Sequence, residues 1–333
     1  MTTEVKNGEA GVAAVMAARG ETAGTGAFPW KAVVLAGGVV LALALPQVMT
    51  NPYFLGLINF MIIYSILCLG LNLILGFTGL LSLGHAAFYG LGGYTTALLM
   101  TRYGFGFLPA LGASAGVALV CSLLLGLPAS KVRGDYFTLL TIAFGEIFRL
   151  VVQGWIGFTG GAMGIVGIPI PKVFGLAVRT EAHFYYLGLA LLALTYLALS
   201  IIVRSKIGRA FVAVREDELA AKTMGIHTSA HVILAFTIGS IFAAVAGSFL
   251  AVYQTTVTPS NFRLEESCLM IIMVIVGGMG RLWASFAGVL IMTVATEMFR
   301  SLAEYRMLII GAIMILVLLF RPQGVFGISA FKD

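Results

Sequence analysis

Long apolar runs alternate with short polar segments along most of the chain. A helix needs about 20 apolar residues to cross a bilayer. Runs of about that length are Trp30–Val48, Phe54–Leu75, Leu108–Leu127, Phe184–Val203 and Val232–Tyr253. Shorter runs are Ala86–Met100, Phe137–Val152, Cys268–Val276, Ala284–Phe299 and Met307–Phe320. The pattern predicts an all-α polytopic membrane protein of about ten transmembrane helices, some of them short or broken.

Lys and Arg concentrate in one loop, and short loops rich in them stay in the cytoplasm. These residues are Arg204, Lys206, Arg209, Arg215 and Lys222. Counting spans outward from this loop predicts that both termini are cytoplasmic and that Thr255–Glu266 is external. A model with nine spans would place the basic residues Arg321 and Lys332 outside the cell. A model with ten spans keeps them in the cytoplasm and is therefore preferred. The run Cys268–Val276 spans only if it is tilted, broken or extended back through Leu264.

The two ends of the chain differ from its middle. Met1–Ala27 is rich in Gly, Ala, Thr and Glu and lacks the apolar core of a signal peptide. We therefore expect a disordered cytoplasmic tail at residues 1–27, a membrane domain at residues 28–327 and a short C-terminal tail at residues 328–333.

Three stretches hold more glycine than a plain membrane helix: Gly76–Gly93, Gly154–Gly167 and Gly277–Gly288. Non-helical backbone at membrane depth survives only when it is buried in protein or lines a cavity. The first stretch favours a broken helix beside a substrate path. The second favours an external loop. The third is equally compatible with a break and with close helix packing.

Polar side chains mark a candidate path near the first glycine stretch. Asn72, Ser82 and His85 either cap freed backbone groups, which is favoured, or contact a substrate. Glu146 and Arg149 share a helix face, and each costs about 2.5–3.5 kcal/mol at mid-membrane. They form an intrahelical pair near the outer interface, or Glu146 instead meets a substrate ammonium group. The candidate path residues are Asn72, Gly79, Ser82, Gly84, His85 and Glu146.

The charged segment Arg204–His231 is the longest polar interruption between apolar spans. Acidic residues precede LAAKTM and Gly225 follows it, which predicts one short helix from about Glu216 to Met224. Leu219 and Met224 would give it an apolar face, for a partner's groove or as part of a solvated linker. The candidate coupling residues are Arg209, Arg215, Glu216, Asp217, Glu218, Leu219, Ala220, Ala221, Met224 and Gly225.

Composition excludes several classes of protein. Residues are 60% hydrophobic and 10% charged, against about 25% charged in soluble domains. The net charge of +6 lies in scattered loops without interleaved aromatic residues, so nucleic acid is not an expected partner. The chain has no GxxxxGK[ST] loop, no HExxH helix and no cysteine or histidine ligand spacing. We therefore expect neither an enzyme nor a bound metal or cofactor.

Five segments together resemble a known family, over roughly Pro52–Gly327. They are GLNLILGFTGLLSLGHAAFYGLGGYTTALL (Gly70–Leu99), GDYFTLLTIAFGEIFR (Gly134–Arg149), SKIGRAFVAVREDELAAKTMGI (Ser205–Ile226), GGMGRLWASFAG (Gly277–Gly288) and FRPQGVFG (Phe320–Gly327). The chain resembles the permeases of ATP-binding-cassette importers for branched-chain amino acids, and within them the LivM family.

The resemblance implies a multi-pass permease of the bacterial inner membrane that moves leucine, isoleucine and valine by alternating access. It implies a second, LivH-like permease, two cytoplasmic ATP-binding subunits and a periplasmic binding protein as partners. In such importers a loop docks on the ATPase through EAAxxxG. Ala220, Ala221 and Gly225 fit that motif, whereas Leu219 stands at the Glu position and Glu218 comes one residue early.

The substrate class and the energy source have alternatives. Related permeases carry urea or short amides, and no residue of this sequence decides between the classes. A stand-alone secondary transporter would need coupling-ion ligands, and Glu146 is the isolated acid in the spans. We also expect helix N-termini at the broken segments to receive a substrate carboxylate.

Overall fold

The computed structural model describes residues 44–47, 51–129, 134–173 and 175–299, with residues 311–312, 315, 319 and 324–326 near the C-terminus. Two compact units divide at residue 50, and residues 44–47 of the first are helical. The tails at residues 1–27 and 328–333 lie outside the described residues, as do most of the predicted spans Trp30–Val48 and Met307–Phe320.

The described part of the second unit is mostly helical. They are α1 (Pro52–Asn72), α2 (His85–Arg102), α3 (Phe107–Ala129), α4 (Asp135–Gly154), α5 (Ile156–Thr159), α6 (Glu181–Arg204), α7 (Lys206–Glu216), α8 (Glu218–Thr223), α9 (Thr228–Gln254), α10 (Leu264–Gly277) and α11 (Leu282–Met298). A π-helical turn, Leu73–Phe77, continues α1, and 3₁₀ turns occupy Gly161–Met163 and Pro259–Phe262.

Four two-residue strands form two small antiparallel ladders beside the helices. They are β1 (Ile165–Val166), β2 (Lys172–Val173), β3 (Leu176–Ala177) and β4 (Thr256–Val257). β1 pairs with β4 and β2 pairs with β3. The first ladder joins the segment after α9 to the glycine-rich stretch Gly154–Gly167, which holds α5, a 3₁₀ turn and β1 rather than a plain loop.

Five helices of the described part are long and apolar enough to cross a membrane: α1 with its π turn, α3, α4, α6 and α9. The α10–α11 pair also qualifies when taken together, but it bends by 114° at its break. Every predicted span between Phe54 and Phe299 coincides with a helix. The structure thus supports five or six spans, and the count of ten and the cytoplasmic termini stay predictions.

Helix α9 forms the centre of the bundle. In its most apolar window 72% of the residues are buried, against 17% in α4 and in α6. A Cβ on Gly247 would lie 1.9 Å from the Tyr89 carbonyl oxygen, so α9 and α2 touch backbone to backbone. Ser248 of α9 also hydrogen-bonds Thr96 of α2 at 2.8 Å and Ser114 of α3 at 2.6 Å.

The charged segment holds two helices where the sequence predicted one. Ser205 begins α7 by accepting a hydrogen bond from the Ile207 N–H at 3.1 Å. Asp217 is extended and begins α8 by accepting from the N–H groups of Leu219 and Ala220 at 2.8 and 3.0 Å. Because Asp217 caps the second helix, Glu216 belongs to the first.

Candidate functional site

The first break separates α1 from α2. After the π turn the chain is irregular from residue 79 to residue 84, and Gly79 adopts φ +73°. A Cβ on Gly84 would lie 2.4 Å from the Thr141 carbonyl oxygen. The predicted break is thus present over residues 79–84, whereas Gly76 lies in the π turn and the later glycines of the stretch lie inside α2 and allow close packing.

Side chains from distant helices satisfy the backbone of this break. Thr141 accepts from the Leu83 N–H at 3.1 Å, and Thr138 donates to the Leu81 carbonyl at 3.0 Å. Ser267 accepts from the Ala86 N–H at 3.0 Å, in the first turn of α2. Because that N–H is already bonded, the expectation that the N-terminus of α2 receives a substrate carboxylate finds no support at Ala86.

Asn72 connects the first break to the second. Its Nδ2 donates to the Arg281 carbonyl and to Ser285 Oγ, both at 2.9 Å, and its Oδ1 accepts from the Gly280 N–H at 3.1 Å. The side chain is fully buried. Asn72 therefore has the capping role that the sequence favoured, but it caps the other break, which lies 208 residues further along the chain.

The second break, between α10 and α11, combines both of the structures expected for Gly277–Gly288. Gly278 and Gly280 have positive φ values of 130° and 79°, which bend the chain. A Cβ on Gly277 would lie 2.2 Å from the Ala284 carbonyl oxygen, and one on Gly288 would lie 1.9 Å from that of Met273. The stretch is both a break and a close helix contact.

Ser82 and His85 lie beside the first break and are fully buried. The His85 ring interacts with the Leu67 backbone. Ser82 Oγ has no hydrogen-bond partner among the described residues. Buried polar groups normally have such partners, so Ser82 offers unused hydrogen-bonding capacity inside the bundle, and neither side chain caps the break.

Arg215, near the end of α7, reaches the first break directly. Its Nη1 donates to the Gly76 carbonyl at 2.7 Å, and its Nε donates to Glu216 at 3.1 Å. A Cβ on Gly79 would lie 2.9 Å from Arg215 Cγ, so the stem of the arginine covers that glycine. This hydrogen bond connects α7 to the π turn at the end of α1.

The short helix α8 presents an apolar surface. Leu219 is 75% exposed and Met224 is 82% exposed, whereas Ala221 is buried. Gly225, with φ +82°, closes the helix, and the Met224 N–H bonds the Ala220 carbonyl at 3.1 Å. Other coupling candidates lie on the same two helices, with Arg209 exposed on α7 and Glu218 in the first turn of α8.

Glu146 and Arg149 form the intrahelical pair that their spacing predicted. Arg149 Nη2 lies 2.8 Å from Glu146 Oε2, and its Nη1 donates to Gln153 at 3.2 Å. Both side chains line a groove of about 480 Å³ together with Arg263 and Glu265. The sequence did not single out Arg263, because it falls in a segment that reads as an external loop.

A comparison with protein-family models matches residues 53–318 to a family described as the branched-chain amino acid transport system permease component. The protein named high-affinity branched-chain amino acid transport system permease protein LivM is 36% identical in Escherichia coli K12, over 87% of this chain and 74% of that protein. The Salmonella typhimurium LivM is also 36% identical, over 80% of this chain and 68% of that protein.

The similarity extends to a second permease type. The LivH permease protein of Escherichia coli K12 is 26% identical over 79% of this chain and 91% of its own length. No solved structure matches the chain.

Proposed function

This chain belongs to the LivM family of branched-chain amino acid permeases, which are transport subunits and not enzymes, and from that premise we propose how it works. It translocates leucine, isoleucine and valine across the bacterial inner membrane. A periplasmic binding protein delivers the amino acid, and two cytoplasmic ATP-binding subunits supply the energy. A LivH-like permease forms the other half of the path, since this chain is similar to both LivM and LivH.

The contact of Arg215 with Gly76 carries this proposal. An importer driven by separate ATPases needs a surface that receives force and a rigid connection from that surface to the substrate path. The exposed Leu219 on α8 and Met224 directly after it supply an apolar docking surface. The hydrogen bond between Arg215 and the Gly76 carbonyl supplies the connection, because it joins the docking segment to the broken end of α1.

Asn72 extends this connection to the second break. It lies one turn before Gly76, and its side chain forms hydrogen bonds with Gly280, Arg281 and Ser285. When the ATPases close on ATP and displace α7 and α8, the ends of both broken segments move together. Such a movement opens the path between the two permease chains to alternate sides of the membrane.

Substrate competition tests the proposal. The complete complex is placed in liposomes with the binding protein outside and ATP on the side of the ATPases, and uptake of labelled leucine is measured. Unlabelled isoleucine and valine are expected to compete, and urea and acetamide are not. Competition by urea with none by isoleucine or valine would assign the chain to the urea and amide permeases instead.

A further inference from the structure

The groove between α4 and α10 lies half-way along the long helices. Tyr64 bonds Glu266 in the first turn of α10 at 3.0 Å. Tyr64 is twelve residues into α1, or about 18 Å from its start at 1.5 Å per residue. Glu146 is eleven residues into α4, or about 16 Å. The hydrocarbon core is about 30 Å thick. The lengths counted along α1 and along α4 therefore both place this groove near the middle of these helices.

The expectation that Thr255–Glu266 is external stays a prediction, and the fold shows where this segment packs. After α9 the chain turns back toward the bundle, and β4 and the 3₁₀ turn Pro259–Phe262 pack against α2. Helix α10 has 14 residues, or about 21 Å, and does not cross a bilayer by itself. It begins beside the midpoints of α1 and α4, with Arg263 as its cap residue.

The groove carries both signs of charge and an apolar wall. Glu146, Arg149, Arg263 and Glu265 line it, with Leu269 and Ile272 beside them. Among the described residues Arg263 and Glu265 form no ion pair, whereas Glu146 and Arg149 are paired. Charged groups at this depth are costly and mark functional sites. A zwitterion with an apolar side chain matches this combination of groups.

A neighbouring groove lacks this combination. It has about 420 Å³ and lies between α1, α10 and α11. Its charged lining residues are Glu266 and Glu297, which accept hydrogen bonds from Tyr64 and Tyr53. Among the described residues its charged lining is acidic only, so the described part of this second groove offers no cation to a carboxylate.

Two of the four charged residues of the groove between α4 and α10 lie where that groove narrows. Glu146 and Arg263 also line a constriction of about 10 Å³ that continues to Leu83 and Ala86 at the first break. That volume holds about one water molecule. Buried Ser82, whose Oγ has no partner among the described residues, is the sequence neighbour of Leu83. The groove thus narrows to a small cavity beside the first break.

We propose that this groove receives the amino acid in this half of the importer. Arg263 binds the α-carboxylate, Glu146 exchanges Arg149 for the α-ammonium group, and Leu269 and Ile272 contact the branched side chain. The assignment rests on the function proposed above. Arg263 is the carboxylate partner because a guanidinium matches a carboxylate with two parallel hydrogen bonds, and the N–H of Ala86 at the nearby helix start is already bonded.

Cysteine labelling tests the groove in the intact complex. Cys268 lines the groove and is partly exposed, so a membrane-permeant thiol reagent followed by mass spectrometry reports its occupancy. Saturating leucine is expected to slow the labelling of Cys268 by about ten-fold or more, as for a site that is occupied most of the time. Cys121 on α3 is the internal control, and its labelling rate is expected to stay constant.

Uptake kinetics provide the second test. Arg263→Gln and Glu146→Gln are each expected to raise the KM for leucine at least about ten-fold, since each removes a charge-assisted hydrogen bond. Arg263→Lys retains part of the affinity. Arg179→Gln removes an exposed arginine outside the groove and is the matched control. Assembly with the second permease, followed by size-exclusion chromatography, confirms that every variant folds.

The outcomes separate the two proposals. If the wild-type complex takes up leucine but neither variant changes the KM and leucine does not protect Cys268, the groove assignment is wrong and the transport function stands. Loss of the second permease from the Arg263 or Glu146 variants would make the groove a subunit contact and would also overturn the assignment. If the wild-type complex does not transport leucine, the proposed function itself fails.

Discussion

Arg215 donates a hydrogen bond of 2.7 Å to the carbonyl oxygen of Gly76, across 139 positions of the chain. The carbonyl belongs to the π turn that ends α1, and the arginine belongs to the helix that precedes the apolar docking surface. The last carbonyl groups of a helix lack partners within the helix, and the charged guanidinium of Arg215 supplies a hydrogen bond to one of them. Under the proposed function, movement of α7 is expected to reach the first break through this hydrogen bond.

Removing this bond should separate ATP hydrolysis from transport. In Arg215→Gln we expect leucine transported per ATP hydrolysed to fall at least about ten-fold, because a charge-assisted hydrogen bond is lost. Lys206→Gln removes an exposed positive charge from the same helix and should have little effect. Paired uptake and phosphate-release assays give the ratio. A ratio in Arg215→Gln equal to that in Lys206→Gln would show that the contact transmits nothing.

A substitution of Gly79, which lies against the side chain of Arg215, tests the same contact. In Gly79→Ala the new Cβ would lie 2.9 Å from Arg215 Cγ and the residue would keep φ +73°. Gly104→Ala has a similar φ of +67° and no atom within 4 Å. Both variants carry a backbone strain of about 1–2 kcal/mol. We expect Gly79→Ala alone to reduce coupled transport, and equal activity in the two variants would refute the close contact.

Asn72 should matter more for stability than its partner Ser285. Asn72→Leu leaves the Gly280 N–H and the Arg281 carbonyl buried without their partner, at about 1–3 kcal/mol for each group. Ser285→Ala removes one hydrogen bond, worth about 1 kcal/mol. Thermal unfolding of the purified chain in detergent measures both. A midpoint for Asn72→Leu at or above that of Ser285→Ala would contradict the link between the two breaks.

The docking surface on α8 should be required for ATPase stimulation. Leu219→Asp combined with Met224→Asp places two charges on the exposed apolar face and is expected to abolish substrate-stimulated ATP hydrolysis while membrane insertion persists. Met163→Asp is the control, because Met163 is 80% exposed in the loop after α5. Normal stimulation in the double variant would remove α8 from the coupling interface.

The sequence predicted the helices better than the contacts between them. Apolar run length located every helix from α1 to α11 that is long enough to span, and the three-residue spacing of Glu146 and Arg149 predicted their ion pair. The glycines predicted the first break and left the second open between a break and close helix packing. These are local properties, since helix formation, pairing on one face and tolerance of positive φ depend on neighbours in the chain.

Long-range features were not accessible to the same reasoning. The partner of Asn72 lies 208 positions away and the partner of Arg215 lies 139 positions away, so no local pattern shows them. Helix α7 was missed because its basic residues resemble those of a solvated loop, although Ser205 is a recognisable cap. Arg263 was overlooked because its depth follows from the return of the chain toward α2, which the sequence does not display.

The dependence of leucine uptake on ATP and on the partner subunits tests the central claim most directly. Labelled leucine uptake is measured in liposomes that hold the complex with its binding protein, with and without ATP, and in liposomes that hold this chain alone. The account predicts uptake in the complete complex with ATP and none in the other two preparations. Leucine uptake by this chain alone without ATP would contradict it.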